Sequence, residues 1–172
     1  MKLFLLRHGI AVERGAPGYD IDGDRPLTPK GVRKIEKIAG KMLTGMKIDF
    51  DAIYSSPLLR ARRTAEIVAK VFDMTPALEF LDSLAPEGTP DAVIEDLSRR
   101  LSSSGTSLDN ILLVGHEPAL SELGSFLLHG DVLHALPMMK GGLCGLSIPA
   151  LAGGRCATLD FLLTPRLIQR LD

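Results

Sequence analysis

Leu3-Phe4-Leu5-Leu6-Arg7-His8-Gly9 opens the chain with four consecutive apolar residues that stop at an arginine, a histidine and a glycine. A short unbroken apolar run suits a strand buried on both faces, because a half-exposed strand would alternate. Asn110-Ile111-Leu112-Leu113-Val114 repeats the pattern and also ends at a glycine and a histidine, Gly115-His116. A shorter candidate strand, Ala52-Ile53-Tyr54-Ser55, lies between them.

Helical patterns separate these runs. Thr28 reads as an N-cap with Pro29 at the first helical position, and Val32, Ile35, Ala39, Met42 and Leu43 then share one face. Ser56-Pro57 opens a second predicted helix running to about Phe72. Pro86, Gly88 and Pro90 break the chain before a third helix over roughly residues 91–103. A fourth helix is predicted to begin at Pro118, and two late strands near 143–148 and 156–162 flank a Gly153-Gly154 turn. No periodic pattern crosses Glu13 to Pro26, which reads as a long loop. Strands alternating with helices predict an α/β fold of three αβα layers, with a mostly parallel central sheet and helices on both faces.

Composition sets the outer bounds. With 172 residues, 45% hydrophobic and 24% charged, the chain reads as one domain over 1–172. A net charge of -1, two Tyr, six Phe and no Trp argue against nucleic-acid binding. The charge is unevenly spread: residues 1–70 carry 14 Lys/Arg against 8 Asp/Glu, and residues 71–172 carry 6 against 13. That asymmetry fits either solvated helix faces or an anion site built by the N-terminal half. Cys144 and Cys156 are too few for a disulfide framework. No apolar run reaches the roughly 18 residues of a membrane span, and the N-terminus lacks a signal-peptide pattern. A cytoplasmic protein without membrane association is expected.

Ligands of open α/β sheets bind outside the carboxyl ends of the strands. His8 and His116, two of the four histidines, stand at such ends, whereas His129 and His134 fit surface or capping roles. Arg7 precedes His8, and Arg60 lies one turn into the second helix. The arginine fork pairs with phosphate oxygens, and a helix N-terminus adds N–H donors for an anion. Arg62 and Arg63 read as solvated.

These residues stand in recognisable motifs. Arg7-His8-Gly9 after an N-terminal strand resembles the signature of the histidine phosphatase superfamily, which includes phosphoglycerate mutases and acid phosphatases. Leu27-Thr28-Pro29-Lys30-Gly31 is similar to that family's L-T-x-x-G helix start. Residues 55–65, Ser-Ser-Pro-Leu-Leu-Arg-Ala-Arg-Arg-Thr-Ala, resemble its S-S-P-x-x-R-A-x-x-T-A segment. Leu84-Ala85-Pro86-Glu87-Gly88 resembles a loop of the small bacterial members, and Val114-Gly115-His116-Glu117-Pro118 the second-histidine strand end. The short chain, Ile10-Ala11 after Gly9, and the absence of an Asn-Glu-Arg sequence in the 84–88 loop bring it nearest the SixA-type phosphohistidine phosphatases.

The resemblance implies a phosphoglycerate mutase-like fold and a phosphatase that needs no metal or cofactor. His8 is then the nucleophile that forms a covalent phosphohistidine, with the Gly9 carbonyl a candidate to hold its ring. Arg7, Arg60 and His116 bind the phosphoryl oxygens, His116 as imidazolium or as a neutral donor, and the Glu117 backbone N–H is a further candidate donor. Ser56 is expected to cap the second helix. Candidates for a general acid are Asp82, Glu87 and Glu13, none in a clear motif. A phosphohistidine substrate relaxes the need for one, because imidazole leaves readily once protonated. The expected substrate is a histidine-phosphorylated phosphotransfer protein, with inorganic phosphate as product. Alternatives are a phosphatase or mutase of small phosphate esters, and below it a non-catalytic phosphate-binding module.

Overall fold

The N-terminal apolar run forms β1 (Lys2–Arg7) in the interior of a six-stranded sheet. The computed structural model describes residues 1–103, 105, 107–134 and 136–171. In chain order the other strands are β2 (Ala52–Ser55), β3 (Leu78–Phe80), β4 (Asn110–Gly115), β5 (Leu143–Ser147) and β6 (Thr158–Leu163), and their spatial order is β3-β2-β4-β1-β5-β6. β3, β2, β4 and β1 run parallel, while β5 and β6 continue the sheet antiparallel.

Side chains of β1 alternate between two cores, as a strand covered on both faces requires. Phe4 and Leu6 pack with Ile53, Leu112 and Val114 beneath α1 (Pro29–Thr44) and α2 (Leu59–Val71). Leu3 and Leu5 pack with Tyr54, Ile111 and Leu113 beneath α3 (Pro90–Ser103) and α4 (Ala119–His129). The expected three αβα layers are therefore present. No helix among the described residues is long and apolar enough to cross a membrane.

The Thr28 hydroxyl accepts from the Gly31 N–H at 3.0 Å and caps α1. Gly31 allows the close approach of that first turn to the segment after β1: a Cβ there would stand 2.1 Å from the Ile10 carbonyl oxygen. The long first loop is closed at its neck, where Ala11 bridges Leu27 and the Val12 N–H donates to the Pro26 carbonyl at 2.9 Å.

Two boundaries and two short elements differ from the sequence expectation. Ser56 and Pro57 lie in the turn before α2, which starts at Leu59, because the Ser56 N–H still extends the sheet by donating to the Val114 carbonyl at 2.9 Å. Pro118 precedes α4 rather than belonging to it. β3 and the short C-terminal helix α5 (Pro165–Ile168) were unanticipated: β3 has three residues on an exposed edge, and α5 is a single turn. Neither is long enough to show a period.

Candidate active site

The parallel register aligns three strand ends. Arg7 pairs with Gly115, and Ser55 pairs with Val114, so Arg7-His8, Ser55-Ser56 and Gly115-His116 leave the sheet side by side. The His8 N–H donates to the Gly115 carbonyl at 3.0 Å, continuing the ladder by one residue. The His8 and His116 rings consequently lie with centroids 5.0 Å apart. α2 brings Arg60 to the same place, and Thr64 fixes that approach: its hydroxyl accepts from the Gly9 N–H at 3.0 Å and donates to the Arg60 carbonyl at 2.7 Å. Gly9 itself is packed against α1, where a Cβ would meet Ile35 Cγ1 at 2.7 Å.

Arg7, His8, Arg60 and His116 line one cleft of about 310 Å³. His8 Nδ1 donates to the Gly9 carbonyl at 2.7 Å, so the proton of a neutral ring sits on Nδ1 and the Nε2 lone pair is free. Burial is the largest cause that lowers its pKa, opposed by the Gly9 bond and reinforced by Arg60, Arg7 and Lys140; the result is about 3. His116 is likewise pushed down to about 3, by burial first and then by His8 and Arg60. Both rings are neutral at pH 7, and of the two forms considered for His116 the structure favours the neutral donor. Ser56 Oγ, which accepts from Leu58 N–H at 3.3 Å, lies 2.9 Å from His116 Nε2. With that hydroxyl donating to Nε2, the neutral ring carries its hydrogen on Nδ1. Ser56 is therefore not the helix cap expected of it: Leu58 stands at the N-cap of α2, with no side-chain capping bond, and the Ser56 hydroxyl serves the turn and His116 instead.

Each arginine is held by its terminal nitrogens. Arg7 Nη1 donates to the Met138 carbonyl at 2.6 Å, and the Met138 N–H donates to Glu117 Oε1 at 3.0 Å. Arg60 Nη1 donates to the Asp22 carbonyl at 2.8 Å, and Arg60 Nη2 pairs with Asp22 Oδ2 at 3.0 Å. Among the described residues, Arg7 Nε, Arg60 Nε and His116 Nδ1 are three of four buried side-chain nitrogens without a hydrogen-bond partner, the fourth being Nε of Arg100, which does not line the cleft and whose Nη2 pairs with Glu79. An unpaired buried donor costs about 1–3 kcal/mol. Three such donors converging on one cleft suit an oxyanion, which would accept from all of them.

The remaining candidates separate. Glu13 lines the cleft and is exposed, whereas Asp82 and Glu87, also exposed, do not line it; Pro86 alone reaches it from that loop. Glu117 lines the cleft but stands before α4, and its carboxylate braces Met138 and Ser121, the latter at 2.5 Å. The His129 and His134 rings meet at a tilt with centroids 4.6 Å apart, and neither lines the cleft. Arg14, Arg25 and Lys140 line it and were not singled out from sequence, nor was Asp22. Asp22 and Arg25 belong to the aperiodic first loop, where the available signal was a density of charges, Asp20, Asp22, Asp24 and Arg25, in a segment leaving directly from His8. No group of three or more His, Cys, Asp or Glu among the described residues is disposed to hold a metal ion.

Residues 3–85 match the model of the histidine phosphatase superfamily, branch 1. The chain is 39% identical over 146 residues to an uncharacterised protein of Picosynechococcus sp., covering 85% of this chain and 84% of that one. It is 30% identical over 131 residues to the phosphohistidine phosphatase SixA of Escherichia coli, covering 76% of each. A solved structure of the protein histidine phosphatase SixA complexed with tungstate superposes with a TM-score of 0.78 at 25% identity, covering 98% of this chain and 99% of that one.

Proposed function

Because the chain belongs to the histidine phosphatase superfamily, we propose that it is a phosphohistidine phosphatase whose nucleophile is His8. The observation that carries this reading is the convergence of three unpaired buried donors, on Arg7, Arg60 and His116, around an imidazole whose Nδ1 is held by Gly9.

In the first step the His8 Nε2 lone pair attacks phosphorus and forms an N–P bond. The P–N bond to the substrate imidazole breaks, and the departing nitrogen keeps the electron pair and takes a proton from solvent. In the second step water attacks phosphorus, the bond to His8 breaks, and its electron pair returns to Nε2 as phosphate and a proton are released. Nε–H of Arg7, Nε–H of Arg60 and Nδ1–H of His116 donate to the phosphoryl oxygens throughout. Their fixed geometry supplies the charge stabilisation, so the reaction needs no metal.

A protein-borne substrate is favoured by the rim. Met139, 59% exposed, is the chain neighbour of Lys140, which lines the cleft, so an exposed apolar side chain adjoins a basic group of the site. An exposed apolar group beside a polar centre suits protein contact. A second reading, hydrolysis of small phosphomonoesters, is supported by Glu13, the one candidate acid that lines the cleft.

Comparing kcat/KM with chelator present, for a histidine-phosphorylated phosphotransfer domain and a panel of phosphomonoesters, decides between them. Strong preference for the phosphoprotein is expected. Equal or better turnover of an ester would shift the assignment to the second reading and make Glu13 its acid.

A further inference from the structure

Among the described residues Asp22 is the carboxylate paired with Arg60; it stands behind the cleft, whose lining includes Arg7, Arg14, Arg25, Arg60 and Lys140 but not Asp22 itself. Its Oδ2 meets Arg60 Nη2 at 3.0 Å while its own carbonyl accepts from Arg60 Nη1 at 2.8 Å. Two other arginines hold the opposite oxygen: Arg25 Nη2 at 2.8 Å and Arg14 Nε at 2.9 Å both reach Oδ1. Arg25 is in turn tied to the Val12 carbonyl at the neck of the loop, Nη1 donating at 2.6 Å. The Arg60 side chain is 4% exposed, that of Arg25 11% and that of Asp22 32%.

A simple electrostatic view gives Asp22 the wrong sign for this place. A carboxylate beside a phosphate-binding arginine repels the ligand. Its geometry argues for a different use. By taking both terminal nitrogens of Arg60, one residue fixes the plane of the guanidinium and leaves Nε, which has no partner, for the ligand. On the phosphatase reading above, we infer that Asp22 is a positioning residue: it clamps Arg60 through side chain and main chain together, and it makes phosphoryl binding depend on the fold of the first loop. Arg14 and Arg25 orient the clamp and neutralise its charge.

The two views predict opposite signs, which makes the inference testable. Asp22→Asn and Asp22→Ala remove a negative charge, so charge alone would tighten tungstate or phosphate binding. Positioning predicts that Asp22→Ala weakens tungstate binding about tenfold, the loss of one charge-assisted contact, and lowers kcat as well, with Asp22→Asn intermediate. Asp24→Asn, in the same 3-10 turn but exposed and not bonded to Arg60, serves as the control and is expected to bind tungstate like the parent.

The deciding experiment is a double-mutant cycle by calorimetry with tungstate and with inorganic phosphate, alongside turnover. In an Arg60→Ala background, Asp22→Ala is expected to change binding less than about twofold, because the residue through which it acts is gone. Equal factors in both backgrounds, or tighter binding in either single variant, would overturn the inference while leaving the phosphatase assignment intact. Unchanged tungstate binding in Arg60→Ala itself would overturn both.

Discussion

Lowering the pH from 7.5 to 5.5 should destabilise this protein through the two histidines at its centre. His8 and His116 are 6% and 2% exposed, and each pKa is pushed from 6.5 to about 3 in the folded chain. Between those values the unfolded chain binds a proton at each ring and the folded chain does not, so stability falls as pH falls through 6.5. At pH 5.5 an unperturbed ring at 6.5 is about nine-tenths protonated, so the pair accounts for uptake of nearly two protons on unfolding. Integrated over those two pH units, the loss is about 3 kcal/mol, an appreciable part of the stability of an ordinary domain. Asp22, pushed down to about 2, loses its contribution only below the ordinary carboxylate range and leaves this window clear. Urea unfolding at pH 7.5, 6.5 and 5.5 in phosphate-free buffer reads the slope, and His8→Gln should reduce it by about one proton. A wild-type slope no steeper than that of a His8→Gln, His116→Gln double variant would refute the reasoning.

Further outcomes are expected of the site and the scaffold. Ring-nitrogen NMR at pH 5.5 should find both His8 and His116 neutral with the proton on Nδ1; an imidazolium at either would contradict the derived hydrogen bonding. Arg60→Ala should weaken competitive inhibition by inorganic phosphate and lower kcat/KM together, and unchanged inhibition would place Arg60 outside the phosphoryl site. Ser56→Ala, which removes the partner of His116 Nε2, should cut kcat about tenfold with little change in melting temperature; full activity would show that the ring is oriented without it. Gly31→Ala, which sets a Cβ 2.1 Å from the Ile10 oxygen, should cost about 1–3 kcal/mol, measured by thermal unfolding.

Much of the architecture was legible because β1 and β4 are buried on both faces and so appear as unbroken apolar runs, while α1 and α2 carry their apolar residues at helical spacing. What was hidden follows a physical pattern. β3 and α5 are too short to show a period. The start of α2 was misjudged because Ser56-Pro57 resembles a helix entry, yet the Ser56 N–H completes the sheet and its hydroxyl serves His116. Arg7, His8, Arg60 and His116 could be placed together because each follows or adjoins a strand end. Asp22 and Arg25 could not, because a loop that doubles back to its own neck carries no periodicity, and its ion pairs exist only once the chain is folded. Asp82 and Glu87 were drawn in by sequence proximity to Pro86, whose side of the loop faces the cleft while theirs faces solvent.

The most direct test of the whole account is trapping the covalent intermediate. Acid-avoiding rapid quench with a phosphotransfer domain carrying labelled phosphohistidine should capture a base-stable, acid-labile phosphoryl group on His8, and His8→Ala should show none while losing turnover at least about 10³-fold. Sustained turnover by His8→Ala, or label on any residue other than His8, would contradict it.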